Sequence, residues 1–332
     1  MTLLQVKNLN VTIDTPDGPV EIVKTTNFSL DKNDTLGIVG ESGCGKSITA
    51  LAIMSLLPPQ STVSGQILLE DQDLLLLKEN RLCNIRGNRI GMIFQEPMTA
   101  LNPVQTIGYQ IAETLMLHKK MEKARITAQV KDLMEKVGLD VNRFPLNLYP
   151  HQLSGGQRQR VMIAMVIACR PDLLIADEPT TALDVTVQEQ ILDLINDLAR
   201  RYGMALIMIS HDLGVIAQTT QNVMVMYAGT MMEKGRTIDV FQHMAHPYTY
   251  GLFASIPKPG SSRRDTKQPL YSIPGHVPDL RRRFTGCRFA ERCFRAQQQC
   301  RLKEPPQVTL GNGHDVWCFH PLTGERDHHA AG

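Results

Sequence analysis

The run Gly40-Glu41-Ser42-Gly43-Cys44-Gly45-Lys46-Ser47 has the spacing G-x-x-x-x-G-K-S and lies between the apolar stretch Leu36–Val39 and a helix-like segment. A loop of this kind curls its backbone N–H groups into a concave cradle for an anion, and the helix that follows adds a partial positive charge. The chemistry is that of a nucleoside triphosphate, with Lys46 reaching the β- and γ-phosphates and Ser47 placing its hydroxyl on Mg²⁺. A second constellation is Leu173-Leu174-Ile175-Ala176-Asp177-Glu178, an apolar strand that ends in two carboxylates. Asp177 at the strand's edge suits the surroundings of Mg²⁺. Glu178, one residue on, is placed to polarise an attacking water.

Four of the seven cysteines, Cys287, Cys293, Cys300 and Cys318, are spaced C-x5-C-x6-C-x17-C near the end of the chain. Zinc sites usually pair cysteines two to four residues apart, and ferredoxin spacings do not match either. The pattern alone therefore indicates four thiolates that could take a metal, without naming it. Lys258–Arg301 carries eleven Lys and Arg against three Asp and Glu, which suits an anionic thiolate-held centre. A nucleic-acid patch is the competing reading of those charges, and with little aromatic interleaving beyond Phe284, Phe289 and Phe294 no nucleic-acid partner is expected.

These groups need strands and helices to hold them. Leu4–Ile13 and Val20–Leu30 read as strands around the turn Pro16-Asp17-Gly18-Pro19. Leu36–Gly40 reads as a buried strand feeding a helix over Lys46–Leu57, which Pro58-Pro59 ends. Strands are expected at Gln66–Leu69 and Arg89–Phe94, and Thr106–Ala168 reads as almost entirely helical. Leu173–Ala176, Ala205–Ile209 and Val223–Met226 alternate with helical segments, the pattern of a parallel sheet with crossover helices. Beyond Pro257 the texture turns to Pro, Gly, Ser and Arg, reading as a linker and a small cysteine-bearing module.

The 332 residues suit a domain of about 250 residues plus an appendage. Apolar content of 42% and charged content of 20% exclude disordered and fibrous classes. Net charge is +2, so the basic tail segment leaves −6 on the rest of the chain. The apolar run Val161–Ala168 is less than half of the ~18–20 residues that a membrane span needs. Met1–Lys7 does not read as a signal peptide, so a cytosolic chain with reduced thiols is expected. Cys44, Cys83 and Cys169 are scattered and are not expected to be ligands.

Leu153-Ser154-Gly155-Gly156-Gln157 resembles the signature of ATP-binding-cassette ATPases, and it falls between the phosphate loop and the carboxylate strand. Gln95 is similar to the family's Q-loop glutamine, Ala182-Leu183-Asp184 to its D-loop and His211 to its switch histidine. The resemblance, over roughly residues 3–235, implies an α/β fold: a parallel-sheet core around the phosphate loop, an antiparallel β subdomain and a helical subdomain at about residues 100–170. It implies ATP on Gly40, Ser42, Gly43, Cys44, Gly45, Lys46, Ser47 and Ile48, and Mg²⁺ near Ser47, Gln95 and Asp177. Glu178, His211 and Gln95 are then the catalytic set. Ser154, Gly155, Gly156 and Gln157 would reach the ATP of a second subunit, with Asp184 beside it. One departure concerns adenine: cassettes stack it on an aromatic residue, and the corresponding region, near Ile13–Val20, has none and offers aliphatic contacts only. Such stacking is worth ~1–3 kcal/mol.

The tail is similar to the C-terminal extension of the dipeptide/oligopeptide/nickel permease ATPases. Its markers are His246-Pro247-Tyr248-Thr249, Ile273-Pro274-Gly275 with Val277-Pro278, Gly286-Cys287, and Cys318 with His320-Pro321. Phe94-Gln95-Glu96-Pro97-Met98, Leu101-Asn102-Pro103 and Tyr149–Arg160 also look like that group. The resemblance implies an ATPase domain over 1–257 and an extension over 258–332 carrying a 4Fe–4S cluster on Cys287, Cys293, Cys300 and Cys318, with zinc as the alternative. It implies peptide import, with nickel chelates or another small solute as alternative cargo. The implied partners are a second ATPase, expected to be a paralogue, two integral membrane permease subunits and an external peptide-binding protein. Residence on the cytoplasmic face of the inner membrane follows. A soluble cassette ATPase outside transport is the rival of another class. It usually carries two cassettes or long coiled coils, and this chain has one phosphate loop and no sustained heptads. Serine at any of the four cysteines is expected to spare ATP binding, because the phosphate loop is read as folding apart from the tail.

Overall fold

A computed structural model describes residues 1–95, 100–181, 183–256 and 271–322. Glu96, Pro97, Met98 and Ala182 of the motifs above, and the 257/258 boundary, lie outside the described residues. In chain order the elements are β1 (Thr2–Thr15), β2 (Gly18–Asp31), β3 (Thr35–Val39), α1 (Lys46–Ile53), β4 (Ser61–Leu69), β5 (Gln72–Asp73), α2 (Glu79–Ile85) and β6 (Ile90–Ile93). Then come α3 (Ile107–His118), α4 (Lys123–Lys136), α5 (Gly155–Ile167), β7 (Leu173–Asp177), α6 (Val185–Tyr202), β8 (Ala205–Ile209) and α7 (Leu213–Thr219). The chain continues with β9 (Asn222–Tyr227), β10 (Thr230–Arg236), α8 (Thr237–Gln242), α9 (Pro247–Ala254), α10 (Gln298–Leu302), β11 (Gln307–Thr309) and β12 (Asp315–Trp317).

Among the described residues the strands form two sheets. The smaller, ordered β2-β1-β4-β5, is antiparallel throughout. Its inward side chains, Leu4, Val6, Leu9, Val11, Val23 and Phe28 among them, pack on Ile38, Ile53, Ile207 and Met224. The larger sheet runs β11-β12-β10-β9-β3-β8-β7-β6. Within it β9, β3, β8, β7 and β6 are mutually parallel. Both faces of these strands are covered, which is why β7 and β8 are wholly buried and read as unbroken apolar runs.

The helical expectation over Thr106–Ala168 is met by α3, α4 and α5, with a long return between the last two that holds only a 3₁₀ turn, Pro150–Gln152. Gly138 adopts φ +75° just after α4, and Pro145 opposes an α-helical restart. The return is bonded in place, since Ile107 and Gly108 donate their N–H groups to the carbonyls of Leu148 and Leu146. α1 ends at Ile53, four residues short of the expected Leu57, and Ser55 turns the chain with φ +50°.

The tail joins the larger sheet. β12 pairs with β10 through Glu233↔Val316 and Lys234↔Asp315, and β11 pairs with β12. Fully buried Glu233 accepts hydrogen bonds from Ala245 N (2.7 Å) and His246 N (2.9 Å), and lies 2.7 Å from His314 Nε2. Burial drives the His246 imidazole down to about 3, so it stays neutral and its Nδ1 accepts from Tyr248 N. The tail has too few apolar residues for a core of its own. Instead it inserts Phe289, 1% exposed, between Tyr227 (centroids 5.1 Å) and Tyr248 (5.2 Å).

Candidate functional site

The phosphate loop, Gln95, the Asp177–Glu178 pair and His211 each follow the C-terminal end of a parallel strand: β3, β6, β7 and β8. Open α/β sheets place their ligands at this edge. Gly40, at φ +153°, is forced to be glycine by the fold, because a Cβ there would sit 2.1 Å from the Met226 carbonyl oxygen. Ser42 and Gly43 are exposed at the mouth of the loop, whereas Cys44, Gly45 and Lys46 are buried. Lys46 Nζ donates to the Gly40 and Glu41 carbonyls (2.8 and 3.1 Å), which keeps the ammonium inside the curl of the loop. Ile48 is half-buried against the core under the antiparallel sheet. Burial raises the Cys44 thiol above its ordinary pKa, so it stays protonated.

Ser47 Oγ donates to Asp177 Oδ1 at 3.1 Å. Desolvation raises the Asp177 carboxyl and the Ser47 bond opposes that shift, an environment that a divalent cation would favour strongly. Glu178 is the centre of a polar cluster. Its Oε2 accepts from Gln95 Nε2 (3.1 Å) and Thr181 Oγ1 (3.3 Å), and its Oε1 lies 3.3 Å from His211 Nδ1. Its backbone has φ +45°, a left-handed conformation unusual for a residue with a long side chain. The Glu178 N–H bonds to Ile209 O, which fixes the end of β7 against β8.

The signature residues open α5 away from this cluster of side chains. Ser154 caps the helix: its Oγ accepts from Gln157 N, and Gln157 Oε1 accepts from Ser154 N (2.9 Å). This reciprocal cap is worth about 1 kcal/mol. Ser154 and Gly155 are exposed. Gly156 meets α6 so closely that a Cβ would lie 2.7 Å from Val187 Cγ1. Buried Gln159 donates to Pro179 O (2.6 Å), linking the signature helix to the residues just beyond Glu178. Asp184 caps α6 through Val187 N.

All four tail cysteines line one cavity, together with His246, Phe289, Arg295 and His320. Burial pushes the Cys287 thiol up to about 12 and the Cys318 thiol up to about 11, and raises Cys293. A single tetrahedral ion needs its sulfurs about 2.3 Å from one point. Among the described residues no group of three or more His, Cys, Asp and Glu side chains is arranged to hold a metal ion. The four cysteines thus share a cavity as free thiols, with Cys287, Cys293 and Cys318 held protonated, and the described arrangement forms no metal site.

Residues that the spacing did not single out also surround the loop. Arg292, 7% exposed, makes a two-pronged pair with Glu41 (2.6 and 3.1 Å), and Tyr248 Oη accepts from Glu41 N (2.9 Å). Tyr248 lies within a marker already quoted, but nothing in the sequence pairs Glu41 with Arg292. Near Ile13–Val20, the region without an aromatic residue, Arg281 of the tail reaches Asp17 (3.2 Å). No described helix is long and apolar enough to cross a membrane.

Comparison with known proteins agrees with this geometry. The family described as ABC transporter matches residues 23–181, and the oligopeptide/dipeptide transporter C-terminal region matches residues 232–300. The oligopeptide transport ATP-binding protein OppD of Salmonella typhimurium is 47% identical, over 96% of this chain and 94% of its own. The dipeptide transport ATP-binding protein DppD of Bacillus subtilis is 46% identical, over 99% and 97%. A dimeric structure of the ATP-binding cassette MJ0796, in a post-hydrolysis state bound to ADP and Pi, is 26% identical. It covers 71% of this chain and 99% of its own, with a TM-score of 0.64. The two-sheet α/β fold is that of an ABC ATPase, and the chain belongs to the ABC transporter ATP-binding proteins, in the group formed by the oligopeptide and dipeptide transport subunits.

Proposed function

We propose that the chain hydrolyses ATP to power uptake of di- and oligopeptides across the bacterial inner membrane. The observation that carries the hydrolytic part is the junction of Gln95, Glu178 and His211 at the strand ends that also hold Lys46, Ser47 and Asp177. In this reading Gly40–Ile48 wraps the phosphates, Lys46 neutralises them, and Ser47, Gln95 and Asp177 surround Mg²⁺. Glu178 polarises the attacking water, and His211 contacts the γ-phosphate. The start of α5, Ser154-Gly155-Gly156-Gln157, serves the nucleotide of a second cassette, with Asp184 beside it. Peptide as cargo is taken from the names of the relatives.

The ATPase unit is assigned to residues 1–257, with its helical part at about 100–170, and the extension to 258–332. The subunit works on the cytoplasmic face, bound to two membrane permease subunits and a second, paralogous ATPase, with an external binding protein delivering peptide. Tagged protein recovered from membranes should therefore bring two integral membrane proteins and a second cassette with it. Recovery alone, from the soluble fraction, would overturn the transport reading.

We assign Cys287, Cys293, Cys300 and Cys318 a 4Fe–4S cluster on the family resemblance of the tail and on their lining of one cavity. The cluster would replace four thiol protons and hold the tail together. Anaerobically purified protein should be brown and contain about four irons per chain. Stoichiometric zinc in a colourless preparation would exclude it.

A further inference from the structure

We propose that Arg292 is a positioning residue for the phosphate loop, and that its place between Cys287 and Cys293 makes the loop's grip on nucleotide depend on the four-cysteine centre. The inference rests on the nucleotide site described above and concerns residues outside it. Glu41 is the second residue of the loop, and its carbonyl accepts from Lys46 Nζ (3.1 Å). Its side chain is held by both guanidinium nitrogens of Arg292, and its N–H by Tyr248 Oη. A bidentate pair fixes orientation as well as distance, so the guanidinium sets the rotation of Glu41 and hence the start of the curl.

Arg292 is itself fixed. Its Nε donates to Pro274 O (2.9 Å), and its Nη1 lies 3.2 Å from Tyr227 Oη. The short stretch from Cys287 to Cys293 is pinned at further points. Arg288 donates to Ala228 O (2.5 Å) and pairs with Glu21, and Phe289 is seated against Tyr227 and Tyr248. Both ends of that stretch are cysteines facing the shared cavity. A centre that anchors the two thiols therefore anchors the span that carries Arg292. Removing one member of a largely buried ion pair leaves the other charge unpaired, so the effect of a substitution should be large.

The test is the affinity of the full-length chain for a fluorescent ATP analogue, read beside thermal unfolding without nucleotide. Arg292→Met should weaken binding about tenfold or more, and Arg292→Lys, which keeps one donor, should recover part of it. Glu41→Gln keeps an oxygen that Arg292 can bond and leaves its carbonyl partners in place, so it should weaken binding with a smaller fall in melting temperature than Arg292→Met. The double variant should bind no worse than the poorer single one. Because Arg292 ties the tail to the loop, the expectation that serine at these cysteines spares ATP binding is reversed for Cys287: Cys287→Ser should weaken binding comparably, with no further loss on adding Arg292→Met. Wild-type affinity in Arg292→Met and Glu41→Gln would overturn the positioning role, and wild-type affinity in Cys287→Ser alone would overturn its dependence on the cysteines. Lys46→Ala separates the two levels. If it too binds like wild type, the nucleotide site is wrong. If it alone loses binding, the site stands and Arg292 does not position it.

Discussion

Glu178→Gln is expected to slow ATP turnover by about 10²–10⁴-fold and to leave ATP binding intact. The substitution preserves size, and the amide oxygen can still accept from Gln95 Nε2 and Thr181 Oγ1, which hold the carboxylate at 3.1 and 3.3 Å. The left-handed backbone at this position is unaffected, since Glu and Gln have the same branching. What disappears is the negative charge that draws a proton from water. Chemistry stops after nucleotide is bound, so two cassettes should accumulate closed on ATP. Turnover at the wild-type rate in the assembled transporter would remove Glu178 from the catalytic role.

The second large effect concerns the sharing of sites. Purified without partners and held monomeric, the chain should hydrolyse ATP at least about a hundredfold more slowly than when two cassettes close, because each oxyanion-type donor removed costs about that much. The donors in question, Ser154 and the backbone at the start of α5, are exposed on this chain and capped only by Gln157. In the proposed arrangement they serve the nucleotide held by the second cassette. Rate per molecule should rise with protein concentration, and a strictly monomeric sample with full activity would exclude the shared arrangement.

Short-range features were legible in the sequence because their causes are short-range. Glycine at fixed spacing before Lys46, apolar runs at β7 and β8, and Asp177–Glu178 at a strand end all follow from local backbone chemistry, and the structure brings their side chains within hydrogen-bond reach. The helical reading of Thr106–Ala168 overran because periodicity alone does not show where Gly138 turns left-handed. The pairing of Glu41 with Arg292 spans 251 positions, and no period or motif connects two charges so far apart. The tail was read as a separate small module because its composition is poor in apolar residues. Its attachment runs instead through one ring, three arginines, the His314–Glu233 contact and a strand pairing, each unremarkable when read alone.

The addition of β12 and β11 to β10 also bears on how the chain avoids self-association. Without those strands, β10 would end the sheet with a free row of N–H and C=O groups, beside buried Met231 and Met232. Open edges of that kind template pairing between chains. Val316 covers that border and is itself fully buried, while the outermost strand, β11, is only three residues long, with Gln307 and Thr309 facing solvent. The added strands thus act as a gatekeeper, covering the Glu233–Lys234 stretch of the β10 border and presenting a short polar edge in its place. Chains cut short after Leu302, by proteolysis or a premature stop, would lose that protection and be prone to precipitate through β10, even with every phosphate-binding residue still present.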